Sequence, residues 1–161
     1  LAIETSSENI QKQIKKHLNI KKVVRNFEYA YKIGLITKGF FMIGFPGESV
    51  HEIKNTIKLA RTTKLDMAAF HVVVPFENTT LCDNMTHNTE RIPLNTSYSN
   101  YFSDKSLYEQ ITGYKIRRLQ KLAYIRFYNP KRLAVLIKKI PRKFYLISKF
   151  MSAGLDILKA R

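Results

Sequence analysis

The sequence predicts a parallel α/β fold, and three stretches carry that prediction. Phe40-Phe41-Met42-Ile43-Gly44-Phe45-Pro46-Gly47-Glu48 reads as an apolar strand running into a Gly-Pro-Gly turn, with a carboxylate opening the next helix. Ile3-Glu4-Thr5-Ser6-Ser7 precedes it and Val72-Val73-Val74-Pro75-Phe76 follows it, and strands alternating with helices imply a parallel sheet. The apolar run from Ala68 to Val74 suits a strand covered on both faces. Ligands of such folds bind beyond the carboxyl ends of the strands, so these three ends mark the expected site.

The elements follow in order. Leu1-Ala2-Ile3 reads as the end of a buried strand. Ser6 or Ser7 can cap a helix from Glu8 to about Leu18 by accepting from its free amides. Asn19 caps a second helix, in which Ile20, Val23, Val24, Phe27, Ala30 and Tyr31 recur at helical spacing. Gly34 ends it in the left-handed conformation that glycine adopts at low cost. Ile36 to Phe45 is the central strand. Ser49 and Glu52 form a capping box for the next helix, which buries Ile53, Ile57 and Ala60. Ala68 to Val74 is the third strand. Residues 77–105 are polar, rich in Asn and Thr, and read as a long loop. A helix from about Lys105 to Tyr128 is broken at Asn129-Pro130, a second reaches Ile140, and a last one follows Pro141. The expected organisation is a body over 1–83, a loop over 84–105 and a basic helical extension over 106–161.

Composition is that of a globular chain: 45% hydrophobic and 25% charged residues exclude a disordered class. No apolar run approaches the roughly 18 residues of a membrane span. The single Cys82 excludes an internal disulfide framework and fits a reducing compartment, so the expected location is cytoplasmic. The chain opens on what reads as a strand, without an initiator Met, and is expected to be the C-terminal piece of a larger enzyme. The net charge of +16 is uneven. Residues 1–111 carry 14 Lys/Arg against 11 Asp/Glu, a net of +3, whereas residues 112–161 carry 14 against Asp156 alone, a net of +13. The composition therefore changes near Gly113, and the segment beyond reads as a separate basic element.

Within the expected site, Gly44 and Gly47 let backbone approach a flat ligand closely. Glu4, a carboxylate at the end of a buried strand, needs a partner and can accept from hydroxyls or an amino group. Glu48 reads as a helix-start charge favoured by the dipole, or as a ligand contact. His17, His51, His71 and His87 lack metal-ligand spacing. His17 reads as a dipole contact near a helix end, and His71 as either a substrate contact or a packed, hydrogen-bonded side chain.

Three motifs together resemble the second half of a radical S-adenosylmethionine enzyme, of the branch with a cobalamin-binding domain: Ile3-Glu4-Thr5-Ser6-Ser7-Glu8-Asn9-Ile10, Gly34 to Ser49, and Pro75-Phe76-Glu77-Asn78-Thr79-Thr80-Leu81. The resemblance covers residues 1–83, with Tyr124 to Arg132 similar to a segment closing many members of that branch. It implies the C-terminal half of a partial (β/α)6 TIM-like barrel. It implies S-adenosylmethionine contacts at Glu4, Ser6, Met42, Gly44 and Val74, with Glu4 at the methionine or ribose part and the strand ends at Gly44 and Val74 flanking the adenine. It further implies a 4Fe-4S cluster and cobalamin in the parent protein, both held outside this chain. The chain departs from the family, which commonly has Gly at the positions of Ala2 and Ser6 and Pro-Gly-Thr at Glu77-Asn78-Thr79. The family's C-x3-C-x2-C run is not in this sequence, and Cys82 alone cannot hold a cluster. The chain alone is therefore expected not to perform the radical chemistry, and the substrate, small molecule or lipid, is left open.

Two other readings stand beside this one. The first is a non-catalytic binding module with a degenerate half barrel. The second is a methylthiotransferase, against which the helical C-terminal segment argues. In that segment Arg117, Arg118, Lys121, Arg126, Lys131, Arg132, Lys138 and Lys139 alternate with aromatics, and Leu133, Leu136, Ile137 and Ile140 make an apolar stripe. An anionic membrane surface, nucleic acid, and a helical cap with a solvated basic face are all compatible with this pattern. The apolar run Phe144 to Met151 favours the membrane, at the inner surface, over nucleic acid.

Overall fold

In a computed structural model of the protein, the described residues are 1–73 and 114–139. They form a three-stranded parallel sheet with helices against it: β1 (Ala2–Glu4), α1 (Glu8–Gln13), α2 (Ile20–Lys32), β2 (Lys38–Ile43), α3 (Val50–Thr62), β3 (Met67–Val72), α4 (Ile116–Phe127) and α5 (Pro130–Lys139). The strand order is β1-β2-β3. β2 and β3 pair without interruption from Lys38–Met67 to Ile43–Val72, whereas the register of β1 on β2 shifts between Ala2 and Glu4.

Local chemistry sets the helix starts. Ser7, Asn19 and Ser49 each accept an amide of their own helix, and Ser49 with Glu52 completes the capping box. α2 ends in a Schellman turn: Gly34 stands at φ 81, its amide donates to the Tyr31 carbonyl, and that of Leu35 to the Ala30 carbonyl. α1 is shorter than its periodicity suggests and stops at Gln13 rather than near Leu18. Lys15 takes the left-handed role at φ 55, with the Lys16 amide bonded back to the Gln11 carbonyl, and His17 lies beyond the helix at φ 47. The Gln11 side chain fixes this exit, donating to the Thr5 carbonyl and accepting from the Leu18 amide.

One face of the sheet carries the core. Ile3, Phe41, Ile43, Ala68 and Phe70 pack with Val23 and Phe27 of α2, Ile53, Ile57 and Ala60 of α3, and Ile116, Ala123 and Phe127 of α4. Within the described residues, α4 of the basic segment thus shares the core of the body. Its charges lie on the outer side of α4 while its apolar stripe faces β3, so the change of composition near Gly113 does not divide two cores. Among the described residues β3 is covered on one face only, not on both. Met67, Ala69 and His71 are half-buried on the other, because the described helices α2, α3 and α4 all lie on the core side.

α4 also closes the outer edge of β3. The amides and carbonyls of Ala68 and Phe70 point away from β2, where a further strand would pair. The Tyr128 hydroxyl accepts from the Ala68 amide at 3.1 Å and donates to its carbonyl at 2.8 Å. Tyr124 does the same for Phe70 at 3.1 and 3.3 Å, and Gln120 Nε2 donates to the Phe70 carbonyl at 2.8 Å. Spacing of four places these three side chains on one stripe of the helix. α5 is anchored at the opposite end of the strands. Lys139 Nζ lies 2.8 Å from the buried Asp66 carboxylate just before β3, and Arg132 Nη2 donates to the Arg61 carbonyl at 2.8 Å, at the end of α3. Among the described residues no helix is long and apolar enough to cross a membrane.

Candidate functional site

The carboxyl ends of β1 and β2 are joined by a hydrogen-bonded network. The turn after β2 places Gly44 at φ 86 and Gly47 at φ 75, conformations that favour glycine. Glu48 is 2% exposed. Its carboxylate accepts from the Gly44 amide at 2.7 Å, the Phe45 amide at 3.1 Å and the Thr5 hydroxyl at 3.2 Å. Burial pushes its pKa up, and the two amides and the hydroxyl oppose that shift. Glu48 is thus the closure of the turn and its link to β1, beyond a helix-start charge.

Behind this link lies a hydroxyl cluster. Thr56, a buried polar residue on the apolar face of α3, meets Thr5 at 3.2 Å. It accepts from the Ser6 amide at 3.0 Å and meets the Ser6 hydroxyl at 3.1 Å. Ser6 is therefore engaged with α3. Ser7 donates to Glu52 at 2.5 Å, which ties the starts of α1 and α3 together. The bonds from Ser7 and Ser49 hold the Glu52 carboxyl below its ordinary range.

Glu4 occupies the most constrained position of the site. It has φ 65, a conformation costly for a residue with a Cβ, at the point where the β1 register shifts. Lys16 Nζ lies 2.7 Å from its Oε1 atom, with the two side chains 27% and 18% exposed for Lys16 and Glu4 respectively. The left-handed Lys15 and His17 on either side turn Lys16 back toward the strand end. A carboxylate at the mouth of the sheet thus holds a primary ammonium.

Met42 is half-buried beside a small apolar cluster of Ile10, Phe45 and Val73, which Ile14 also joins. Its register partner is His71 on β3. Burial lowers the pKa of His71, the charge of Lys38 lowers it further, and Glu4 opposes both. Glu4, Met42 and His71 thus lie on the face of the sheet away from the core, one on each strand. Val74 lies outside the described residues, and the last described pairing of β3 is the Val73 amide on the Ile43 carbonyl at 3.0 Å. Among the described residues no group of three His, Cys, Asp or Glu side chains is placed to hold a metal ion.

No family model matches the sequence. Two curated proteins are similar to it, and both are named methyltransferases. Over 154 residues, 95% of this chain, it is 32% identical to an uncharacterized methyltransferase of Pyrococcus horikoshii and covers 33% of that protein. Over 81 residues, 46% of this chain, it is 32% identical to the cytidylyl-2-hydroxyethylphosphonate methyltransferase of Streptomyces wedmorensis and covers 15% of it. The chain spans no more than about a third of the length of these relatives.

Sequence reasoning placed Glu4, Met42 and Gly44 at the mouth, where the structure has them. It missed Lys16, whose approach depends on two left-handed residues with side chains. It missed Thr56, although a threonine between Ile53 and Ile57 on an apolar stripe is a readable signal.

Proposed function

We propose that this chain supplies part of the S-adenosylmethionine site of a methyltransferase, with Glu4 receiving the amino group of the ligand. The Lys16–Glu4 contact carries this reading: a strained strand-end carboxylate already holds a primary ammonium at 2.7 Å. In the ligand-bound state the amino group of S-adenosylmethionine takes the place of the Lys16 side chain. Met42 offers an apolar side chain to the ligand. Gly44 can contribute only its carbonyl, because its amide is held by Glu48. The similarity to two methyltransferases supports the ligand class.

The finer reading rests on the family resemblance: a partial barrel whose 4Fe-4S cluster and cobalamin are held by residues outside this chain. S-adenosylmethionine there supplies a methyl group or, after reductive cleavage, a 5′-deoxyadenosyl radical. An anionic membrane surface is a further proposed partner, met by the exposed cations Arg118, Lys121, Arg126, Lys131 and Lys138. Arg132 and Lys139 are engaged with the body. Salt-sensitive pull-down on anionic liposomes against RNA separates that partner from nucleic acid.

Calorimetric titration with S-adenosylhomocysteine tests the site. The expected outcome is binding that falls at least about tenfold in Glu4→Gln, the loss of one charged contact, and tightens in Lys16→Met, which removes the internal competitor. Equal affinity in all three proteins would falsify the role of Glu4.

A further inference from the structure

Helix α4 has two unlike sides. Ile116, Gln120, Ala123 and Phe127 are buried on one of them. Arg118, Lys121 and Ile125, spaced by three and four, lie on the other and are exposed. Ile125 is 73% exposed, more than any other large hydrophobic side chain among the described residues. It stands in the last turn of α4. Leu133 and Ile137, one turn apart on α5, follow beyond the corner at Asn129 and are also exposed, while Leu136 is the buried residue of that helix. Exposed cations adjoin these aliphatics, Arg126 next to Ile125 and Lys138 next to Ile137, and no Asp or Glu occurs between residues 114 and 139.

We propose that the side of α4 and α5 marked by Ile125, Leu133 and Ile137 docks on an anionic lipid bilayer, with these aliphatics entering the headgroup layer and the cations beside them held at the lipid phosphates. The proposal rests on the membrane partner named above and deepens it, and it is independent of the S-adenosylmethionine site. In sequence the cations alternate with aromatics, a pattern that also suits nucleic acid, where bases stack on open rings. The fold separates the two kinds of residue. Tyr124, Phe127 and Tyr128, three of the four aromatics of residues 114–139, are turned to the body. Phe127 lies in the core, and the Tyr124 and Tyr128 hydroxyls hold the Phe70 and Ala68 backbone. The Tyr128 ring is packed on both Tyr124 and Phe127, with centroids at 6.2 and 4.8 Å. The Arg132 guanidinium, 4.0 Å over the Phe127 ring, is turned inward with them. What remains outside is aliphatic and cationic. Exposed aliphatics gain nothing from a phosphate backbone but are favoured at a bilayer surface, where they leave water while Lys and Arg keep their charges at the headgroups.

The test uses the full chain and co-sedimentation with phosphatidylcholine vesicles, with and without phosphatidylserine. The expected result at about 0.15 M salt is binding to the anionic vesicles and binding at least about tenfold weaker to the neutral ones. Ile125→Ser and Leu133→Ser each weaken binding at least about fivefold. Ile33→Ser, an equally exposed type of side chain at the end of α2, leaves it unchanged. Entry into the bilayer is read separately, from an environment-sensitive fluorophore on Ile125→Cys in a Cys82→Ser background, whose emission shifts to the blue on anionic vesicles. A chain that ignores anionic vesicles overturns both the membrane partner and this surface. Binding that Ile125→Ser and Leu133→Ser leave intact, with no shift of emission, overturns the surface and leaves a purely electrostatic contact. An equal loss in Ile33→Ser also overturns it, since any exposed apolar residue would then serve. Tighter binding of polyuridylate than of the vesicles, unaffected by Ile125→Ser, overturns it in favour of nucleic acid.

Discussion

The Glu48 carboxylate holds the Gly44 amide at 2.7 Å, so the first acidic residue before α3 closes the turn that ends β2. Its other oxygen takes the Thr5 hydroxyl, and one side chain thereby fixes two strand ends relative to each other. The shape of the mouth depends on this residue although it need touch no ligand.

Glu48→Gln is expected to lower stability by about 1–3 kcal/mol, because an amide cannot accept with both ends and leaves a buried donor unmatched. Urea unfolding measures it. The pH dependence has a definite sign. Burial raises the folded pKa of Glu48 above its ordinary 4.5, so the folded state binds more protons between the two values. The stabilisation from this group is fully present below about pH 4.5 and is lost as pH rises through the raised value. The wild-type protein should therefore show a downward slope of stability across that window, and Glu48→Gln should lack it.

Tyr128→Phe leaves the Ala68 amide and carbonyl without the hydroxyl that serves both, at an expected cost of about 1–2 kcal/mol. Adding Tyr124→Phe strips the Phe70 amide as well and exposes a run of unpaired strand edge. Such edges recruit other strands. The double variant should self-associate at concentrations where the wild type does not, as sedimentation velocity would reveal. An unchanged sedimentation coefficient would show that the edge is protected by something other than the phenols.

Asp66 is 1% exposed at its side chain, accepts from the Thr37 amide at 2.8 Å and hydroxyl at 3.0 Å, and pairs with Lys139. Lys139→Met removes the cation and leaves the carboxylate buried, with an expected loss of about 2–4 kcal/mol in thermal or urea unfolding. Asp66→Asn in the same background should recover part of that loss, since the pair is coupled.

Local features were legible in the sequence. Caps at Ser7, Asn19 and Ser49 depend on residues within one turn, and the left-handed Gly34 follows from the need for φ above zero where α2 ends. The parallel sheet followed from the order of apolar runs. Contacts across the fold were not legible. The end of α1 depends on Gln11 reaching back to Thr5 and forward to Leu18. The role of Glu48 depends on amides three and four residues before it. Gln120, Tyr124 and Tyr128 share a helical stripe, but their use on the edge of β3 is a pairing across 50 to 60 residues. Basic residues were the most misleading. Arg132 and Lys139 looked like the rest of a charged surface, yet one cradles the end of α3 and the other neutralises Asp66.

The Asp66–Lys139 clamp also gives the molecule a polarity. Asp66 precedes β3, whereas Glu4 and Gly44 stand at the far ends of their strands, so a sheet of six-residue strands separates the two by roughly 20 Å. Residue 139 is therefore held at the pole opposite the Glu4 and Gly44 strand ends. A label attached at residue 139 would sit a full strand length away from the Glu4 and Gly44 strand ends and leave them accessible.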